Sequence, residues 1–158
     1  MPLKKLMDFL NDHHVKYTRI THSPAMTAQE TAACAHFPGK EMAKTVMIKI
    51  DGKMAMAVLP ATQHVDIELF KALACTENVE LAREQDFKNL FPECETGAMP
   101  PFGNLYGMDV YVEKDLAQDK QICFNAGSHT ELVRMSYKDF EKLVRPRRAT
   151  FSADRYRI

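Results

Sequence analysis

The sequence predicts a single domain of mixed α and β structure (α/β, of the α+β kind) in which helices pack against a β-sheet. Two apolar, strand-like runs flank Asp51-Gly52, which is a strong signal for a β-hairpin. Amphipathic segments with helical periodicity occur before and after this hairpin, and further strand-like runs follow late in the chain. The length of 158 residues fits one domain with its own core rather than two.

The chain begins with alternating helix and strand signals. Apolar residues at helical spacing predict a helix over residues 3–13, and residues 15–20 are typical of a strand. Residues 27–30, Thr-Ala-Gln-Glu, form a capping box that predicts a second helix over 28–36. Further helices are predicted over 66–74, over 84–91 and after Ser136, and further strands over 79–82, 109–113, 121–125 and 130–135.

The predicted hairpin has arms at residues 44–50 and 53–59. The second arm is apolar on both faces, which favours a central strand. In the first arm, a period of two places Lys44 on the face that carries Val46 and Ile48. Because a buried ammonium without a partner is costly, we expect Lys44 to reach an anion or a cluster of carbonyl groups.

Two prolines enclosed by two glycines form the loop at residues 97–103, Gly-Ala-Met-Pro-Pro-Phe-Gly. Proline restricts φ and lacks an N–H, while glycine permits close approach, so this loop predicts a stiff ledge with accessible amides near Gly97. Lys44 and the segment Gly127-Ser128-His129 are expected to face it. Together they indicate a site for an ester or a phosphate, with no metal and no cofactor, since the histidines lack metal-ligand spacing.

Composition excludes several classes of function. Basic and acidic residues number 21 each, so no overall field draws the protein to nucleic acid, and DNA is not an expected partner. The four cysteines form no Cys-x-x-Cys pair, which fits a reducing, cytoplasmic environment. The sequence contains no signal peptide or membrane-spanning run, so no membrane partner is expected.

The last fourteen residues, 145–158, carry five arginines against one aspartate, a net charge of +4, interleaved with Phe151 and Tyr156. Such a segment can lie along an RNA backbone, or it can be a solvated, loosely docked terminus. The expected organisation is therefore a folded domain over 1–144 followed by a basic tail.

With these elements in hand, the chain resembles the YbaK and prolyl-tRNA-synthetase-associated family of trans-editing aminoacyl-tRNA deacylases. The resemblance covers residues 5–144. It is carried by Lys44-Thr45-Val46-Met47-Ile48-Lys49, the Gly97-x-x-x-Pro101 loop extended to Gly103, Gly127-Ser128-His129, and the lead-in His22-Ser23-Pro24 with the capping box. It implies a curved mixed sheet surrounded by helices, and hydrolysis of the ester that joins a wrong amino acid to tRNA.

The resemblance marks the lysine, the loop and the late histidine region as the site. We expect the catalytic residues to be Lys44, Gly97, Ala98 and His129. The expected substrate-binding residues are His22, Met99, Pro100, Pro101, Phe102, Gly127 and Ser128. In this reading the amides of Gly97 and Ala98 stabilise the oxyanion, and Lys44 holds the terminal nucleotide. The expected partners are the acceptor end of mischarged tRNA and an aminoacyl-tRNA synthetase.

Two alternatives stay open at this stage. Cys94 lies three residues before Gly97, so a thiol hydrolase with Cys94 as nucleophile and His129 as base is a rival. A second rival is a binding module that holds aminoacyl-tRNA or a nucleotide without turnover. The sequence also leaves open which amino acid is removed, with alanine, cysteine, serine and threonine all compatible.

Overall fold

The computed structural model describes residues 3–21 and 39–154. The predicted second helix, its capping box and His22 lie outside these residues. The described helices are α1 (Lys4–Asp12), α2 (Ile67–Ala74), α3 (Glu84–Phe87), α4 (Lys114–Ala117) and α5 (Tyr137–Val144). The described strands are β1 (Tyr17–Thr21), β2 (Ala43–Ile50), β3 (Lys53–Pro60), β4 (Gln63–Val65), β5 (Val79–Leu81), β6 (Asp109–Glu113), β7 (Gln121–Ser128), β8 (Glu131–Ser136), β9 (Arg147–Ala149) and β10 (Ser152–Asp154). Within this part of the chain, every helix is too short to cross a bilayer.

The strands form a mixed five-stranded sheet, a three-stranded antiparallel sheet and a two-stranded ribbon. The five-stranded sheet has the order β5-β2-β3-β6-β9, the three-stranded sheet the order β1-β8-β7, and the ribbon pairs β10 with β4. The predicted hairpin is confirmed as the antiparallel pair β2–β3, with positive φ at both Asp51 and Gly52, as the favoured two-residue turn requires. β3 pairs in parallel with β6, and β6 with β9. The predicted mixed α/β class is confirmed.

The two larger sheets meet at the start of β2. Met42, the residue before β2, forms an isolated parallel bridge with Cys123 in β7. Beside this bridge, the Arg134 side chain of β8 donates to the Glu41 carboxylate over 2.8 Å. The bridge and the ion pair therefore hold β7, the edge strand of the three-stranded sheet, beside the first residues of β2, which β5 does not reach because it pairs only with residues 48–50.

The five-stranded sheet is covered on both faces. Met47, Met56 and Val58 belong to the larger core, which also contains α1 and α5 side chains. The neighbouring residues Ile48 and Leu59 point the other way, into a second core. This alternation confirms that β3 is a central strand with both faces buried.

The start of α5 is set by the capping residue that the sequence predicts. The Ser136 hydroxyl accepts from the Asp139 N–H over 3.1 Å, so the expected cap of α5 is present.

The helix predicted over 84–91 is shorter in the structure, because α3 ends at Phe87. After Phe87 the chain tightens, with the Leu90 N–H bonding the Phe87 carbonyl, and Phe91 turns into the core before Pro92.

The described part of the basic tail is built into the fold, unlike a solvated, loosely docked terminus. β9 extends the five-stranded sheet and β10 pairs with β4. Between them, Phe151 is fully buried, with its ring 5.0 Å from that of Phe70. The Phe151 N–H also donates to the buried Glu113 carboxylate. The arginines give this segment its charge, but Phe151, which lies between them in the sequence, anchors the segment to the second core.

Replacing Phe151 with alanine should lower the free energy of unfolding by about 3–5 kcal/mol, because it leaves a cavity in the second core. Urea denaturation followed by circular dichroism measures this change. The matched control is T150A at the exposed neighbouring position, which should stay within about 0.5 kcal/mol of the wild type. Equal stability of F151A and the wild type would contradict the anchoring role.

Candidate functional site

The proline-glycine loop is joined to the end of β7 by two backbone hydrogen bonds. The Glu95 N–H donates to the Gly127 carbonyl over 2.8 Å, and the Gly127 N–H donates to the Ala98 carbonyl over 2.9 Å. Two segments almost thirty residues apart in the sequence are therefore paired like neighbouring strands. The structure brings together the loop and the Gly127-Ser128-His129 segment, which the sequence singled out separately.

A tight turn precedes the prolines. The Ala98 N–H donates to the Glu95 carbonyl over 3.0 Å, and Gly97 has a φ of +85°. A glycine is favoured here because L side chains rarely adopt this φ. A Cβ at Gly97 would lie 3.6 Å from Cε1 of His129, so the exposed Gly97 backbone faces the histidine ring.

This turn changes the expected roles of the two loop amides. Because the Ala98 N–H is already bonded to Glu95 and Ala98 is fully buried, that amide is not available to an oxyanion. Gly97 is an exposed residue, and none of the backbone hydrogen bonds of the described residues uses its N–H. The pair of donors expected from the sequence is thus reduced to the single amide of Gly97.

The imidazole of His129 is fixed by the same loop. Its Nε2 lies 2.8 Å from the Thr96 carbonyl oxygen, and the side chain is 8% exposed. Since a carbonyl only accepts, Nε2 carries the proton, and Nδ1 of the neutral ring remains an acceptor. A ring held in one tautomer next to Gly97 can orient a water molecule or take up its proton.

Ser128 acts within the turn between β7 and β8. Its hydroxyl shares a hydrogen bond with the Thr130 hydroxyl over 3.3 Å and accepts from the Thr130 N–H over 3.4 Å. The side chain is 9% exposed. Ser128 therefore shapes the turn that presents His129.

The middle of the loop is packed rather than open. Met99 is 5% exposed and Phe102 is fully buried, and both belong to the larger core. Pro100 and Pro101 are buried as well. The cavity beside Met99 has a volume of about 10 Å³, enough for one water molecule but not for an amino-acid side chain. These four buried residues therefore hold the loop in place and do not form a pocket for a substrate.

Lys44 lies in β2 opposite Leu59, on the face that carries Ile48, as predicted. That face is opposite to the one that packs against Met99 and Phe102. From the Met42–Cys123 bridge, β2 and β7 run parallel and stay in contact. Lys44 follows this bridge by two residues in β2, as Asn125 does in β7, so both residues lie beyond the bridge in the same direction.

Cys94 is not arranged as a nucleophile paired with His129. Its sulfur lies 4.0 Å from the Tyr106 hydroxyl, and none of the hydrogen bonds found among the described residues joins Cys94 to His129. Burial raises the pKa of the Cys94 thiol, which disfavours the thiolate that nucleophilic attack requires. The geometry therefore opposes the thiol-hydrolase alternative.

Comparison with known proteins identifies the family of this chain. A family model described as the aminoacyl-tRNA editing domain matches residues 22–143, most of the chain. The chain belongs to this family. The editing-domain match includes the loop, the Gly127-Ser128-His129 segment and Lys44, and it confirms the resemblance read from the sequence.

Individual relatives agree with the editing-domain assignment. The chain is 31% identical over 99 residues to proline–tRNA ligase from Staphylococcus saprophyticus; the match covers 62% of this chain and only 17% of the ligase. The crystal structure of hypothetical protein APE2540 superposes with a TM-score of 0.85 at 21% identity, over 95% of this chain and 100% of that one. A crystal structure described as a candidate trans-editing enzyme for prolyl-tRNA synthetase gives 0.81 at 17% identity, over 95% and 96%. These two likenesses show the fold.

Sequence reasoning did not select Asn125 of the editing domain. It stands in β7 among buried apolar residues, and its Oδ1 is buried without a hydrogen bond in the part of the chain that the structure describes. A lone amide inside an apolar strand is a signal that the sequence does contain. Its apolar neighbours favour a buried strand, and the strand pattern alone gives the amide no separate role.

The described cysteines should react with iodoacetamide in the order Cys75, Cys94, Cys123. Cys75 is exposed, burial raises the pKa of Cys94, and burial raises the pKa of Cys123 to about 12. A raised pKa leaves less thiolate at pH 8 and slows alkylation. Peptide mass spectrometry of the native protein over time measures the order. Faster labelling of Cys94 than of Cys75 would restore the thiol-hydrolase alternative.

Proposed function

We propose that this editing domain hydrolyses, in trans, the ester bond of mischarged aminoacyl-tRNA. The observation that carries the proposal is the junction of Gly97, Gly127 and His129. There an exposed glycine, whose N–H takes part in none of the backbone hydrogen bonds of the described residues, lies beside an oriented imidazole. An aminoacyl ester is already activated. Its hydrolysis therefore needs an oriented water, a polarised carbonyl and a stabilised oxyanion, rather than a covalent nucleophile.

In the proposed reaction a water molecule attacks the ester carbonyl carbon. The Gly97 N–H donates to the developing oxyanion, and the tetrahedral intermediate collapses as the ribose oxygen leaves and takes up the proton that the attacking water gave to the base. Nδ1 of His129 orients the water or accepts its proton. The Nε2–H bond to the Thr96 carbonyl holds the ring and stabilises the imidazolium that would form. A ribose hydroxyl next to the ester is the alternative base.

Lys44 is the charged side chain that we assign to substrate binding. Its ammonium, near the start of β2 and close to β7, suits the phosphate or ribose of the terminal nucleotide. His22, whose position lies outside the described residues, remains a proposed contact of the same cleft. The partner protein we propose is a prolyl-tRNA synthetase, because a proline–tRNA ligase and a candidate trans-editing enzyme for prolyl-tRNA synthetase are among the similar proteins.

The competing function is a module that binds aminoacyl-tRNA without turnover. It is favoured by one observation, namely that the Ala98 amide is consumed within the turn and leaves a single loop donor. Loss of one oxyanion donor reduces rates about a hundred- to a thousandfold in other hydrolases. The two functions differ in whether bound ester is released as free amino acid.

A deacylation panel tests the proposal. Purified protein is incubated with tRNA charged with alanine, cysteine, serine or threonine, and the remaining ester is measured over time. We expect one or more of these esters to disappear faster than in buffer. Tight binding without hydrolysis across the panel would favour the binding module.

Replacement of Lys44 tests its part in the reaction. K44A should lower kcat/KM about 10- to 100-fold through loss of a charged contact, while K53A, at an exposed lysine of the hairpin, should leave kcat/KM unchanged.

Gly97 and Gly52 provide a matched pair of glycines. Both have φ near +80°, and both would accept a Cβ without a steric clash. G97A and G52A should therefore lose a similar 1–2 kcal/mol or so of stability from backbone strain. Only G97A should also lose deacylation, about 100-fold, because a displaced amide no longer meets the oxyanion. Thermal melts and kcat measured on both variants separate the two effects. Equal activity of G97A and G52A would exclude Gly97 from the site.

A further inference from the structure

Asn125 is a polar residue in the interior of an otherwise apolar strand. Cys123, Phe124 and Ala126 beside it are all buried. Its side-chain oxygen is itself closed to solvent and accepts no hydrogen bond from the described residues. A buried amide oxygen left unpaired opposes folding, so its presence calls for an explanation beyond stability.

The position of Asn125 in the sheet is also unusual. It pairs with Leu132 as the last residue of the regular β7–β8 ladder, and the next pair is Ser128 with Glu131. Two residues of β7 thus bulge out between these pairs, the second being Gly127 with φ of +99°. This bulge carries the hydrogen bonds to the Gly97 loop. Asn125 therefore stands directly before the junction that forms the candidate site.

Asn125 and Lys44 lie on the same face of neighbouring strands. Cys123 and Met42 are bridged and pack in one small cluster with Leu132. Because side chains alternate, the residues two positions further, Asn125 and Lys44, project to that same side. Asn125 as a whole is only half-buried, and a half-turn of its amide about the soft terminal torsion exchanges the closed Oδ1 for the amide nitrogen. A ligand at this end of β2 and β7 then meets an amide oxygen on the same face as an ammonium.

We propose that Asn125 is a positioning residue that binds the ribose of the terminal nucleotide, with Oδ1 accepting from the hydroxyl next to the ester. The inference rests on the proposed function. Of the donors at an aminoacylated RNA end, the α-ammonium would be repelled by Lys44. A ribose hydroxyl instead donates to Oδ1 and can accept from the lysine. The contact selects RNA over DNA, since only RNA carries this hydroxyl.

The experiment compares two uncleavable ligands. Both are RNA minihelices with an amino acid joined to the terminal 3′ position by an amide; one has a 2′-hydroxyl on the terminal adenosine and the other has hydrogen. Fluorescence anisotropy gives Kd for wild type, N125A, N125L and the exposed control N104A. Wild type and N104A should prefer the hydroxyl ligand about 3- to 10-fold, the contribution of one net hydrogen bond. N125A and N125L should bind both ligands equally.

Thermal melts of the same variants distinguish positioning from a structural role. N125L fills the space and removes the unpaired oxygen, so its Tm should equal or exceed that of the wild type. A retained hydroxyl preference in N125L or N125A, or a marked fall in the Tm of N125L, would overturn the inference. If the wild type bound neither minihelix and cleaved no ester, the proposed function would fail instead. Cleavage by a wild type that shows no hydroxyl preference would overturn the inference alone.

Discussion

The two hydrogen bonds of Gly127 hold the candidate site together. They fasten the turn around Gly97 to the end of β7, so the exposed amide and His129 are presented by one rigid unit. Position 127 favours glycine over any residue with a side chain, because φ is +99° and a Cβ would lie 3.0 Å from Cβ of Leu3. The Leu3 N–H in turn bonds the Ala126 carbonyl, which fixes the start of α1 against the same bulge. Three distant segments of the chain thus depend on one glycine.

The loop is rigid because its middle belongs to the core. Phe102 packs with its ring centroid 5.5 Å from that of Phe124 and 5.6 Å from that of Phe140. Gly103 allows this packing, since a Cβ there would lie 2.7 Å from Cγ2 of Val110. The prolines therefore set the backbone while buried aromatic rings keep it in place. What the loop offers a substrate is a narrow edge at Gly97, where a single amide is already oriented before binding.

The two sides of the site come from two sheets. The loop and His129 lie at the end of the three-stranded sheet, whereas Lys44 lies on a strand of the five-stranded sheet. The Met42–Cys123 bridge and the Arg134–Glu41 ion pair join these sheets two residues before Lys44 in β2 and Asn125 in β7. In the proposed function, the groups from the two sheets have separate tasks: Lys44 and Asn125 bind the terminal nucleotide, and Gly97 and His129 act on the ester.

The sequence by itself determined the element types, the hairpin at Asp51-Gly52, the family, and the separate importance of Lys44 and the Gly97 loop, because all of these depend on local periodicity, turn chemistry or motif order. Only the tertiary structure decided that the Ala98 amide is already hydrogen-bonded within a turn and that Phe151 anchors the basic tail. It also decided that the Oδ1 of Asn125 is buried without a hydrogen bond from the described residues. These three facts depend on which distant groups meet. A hydrogen bond or a packed ring is a property of both partners, and the sequence around one of them does not name the other.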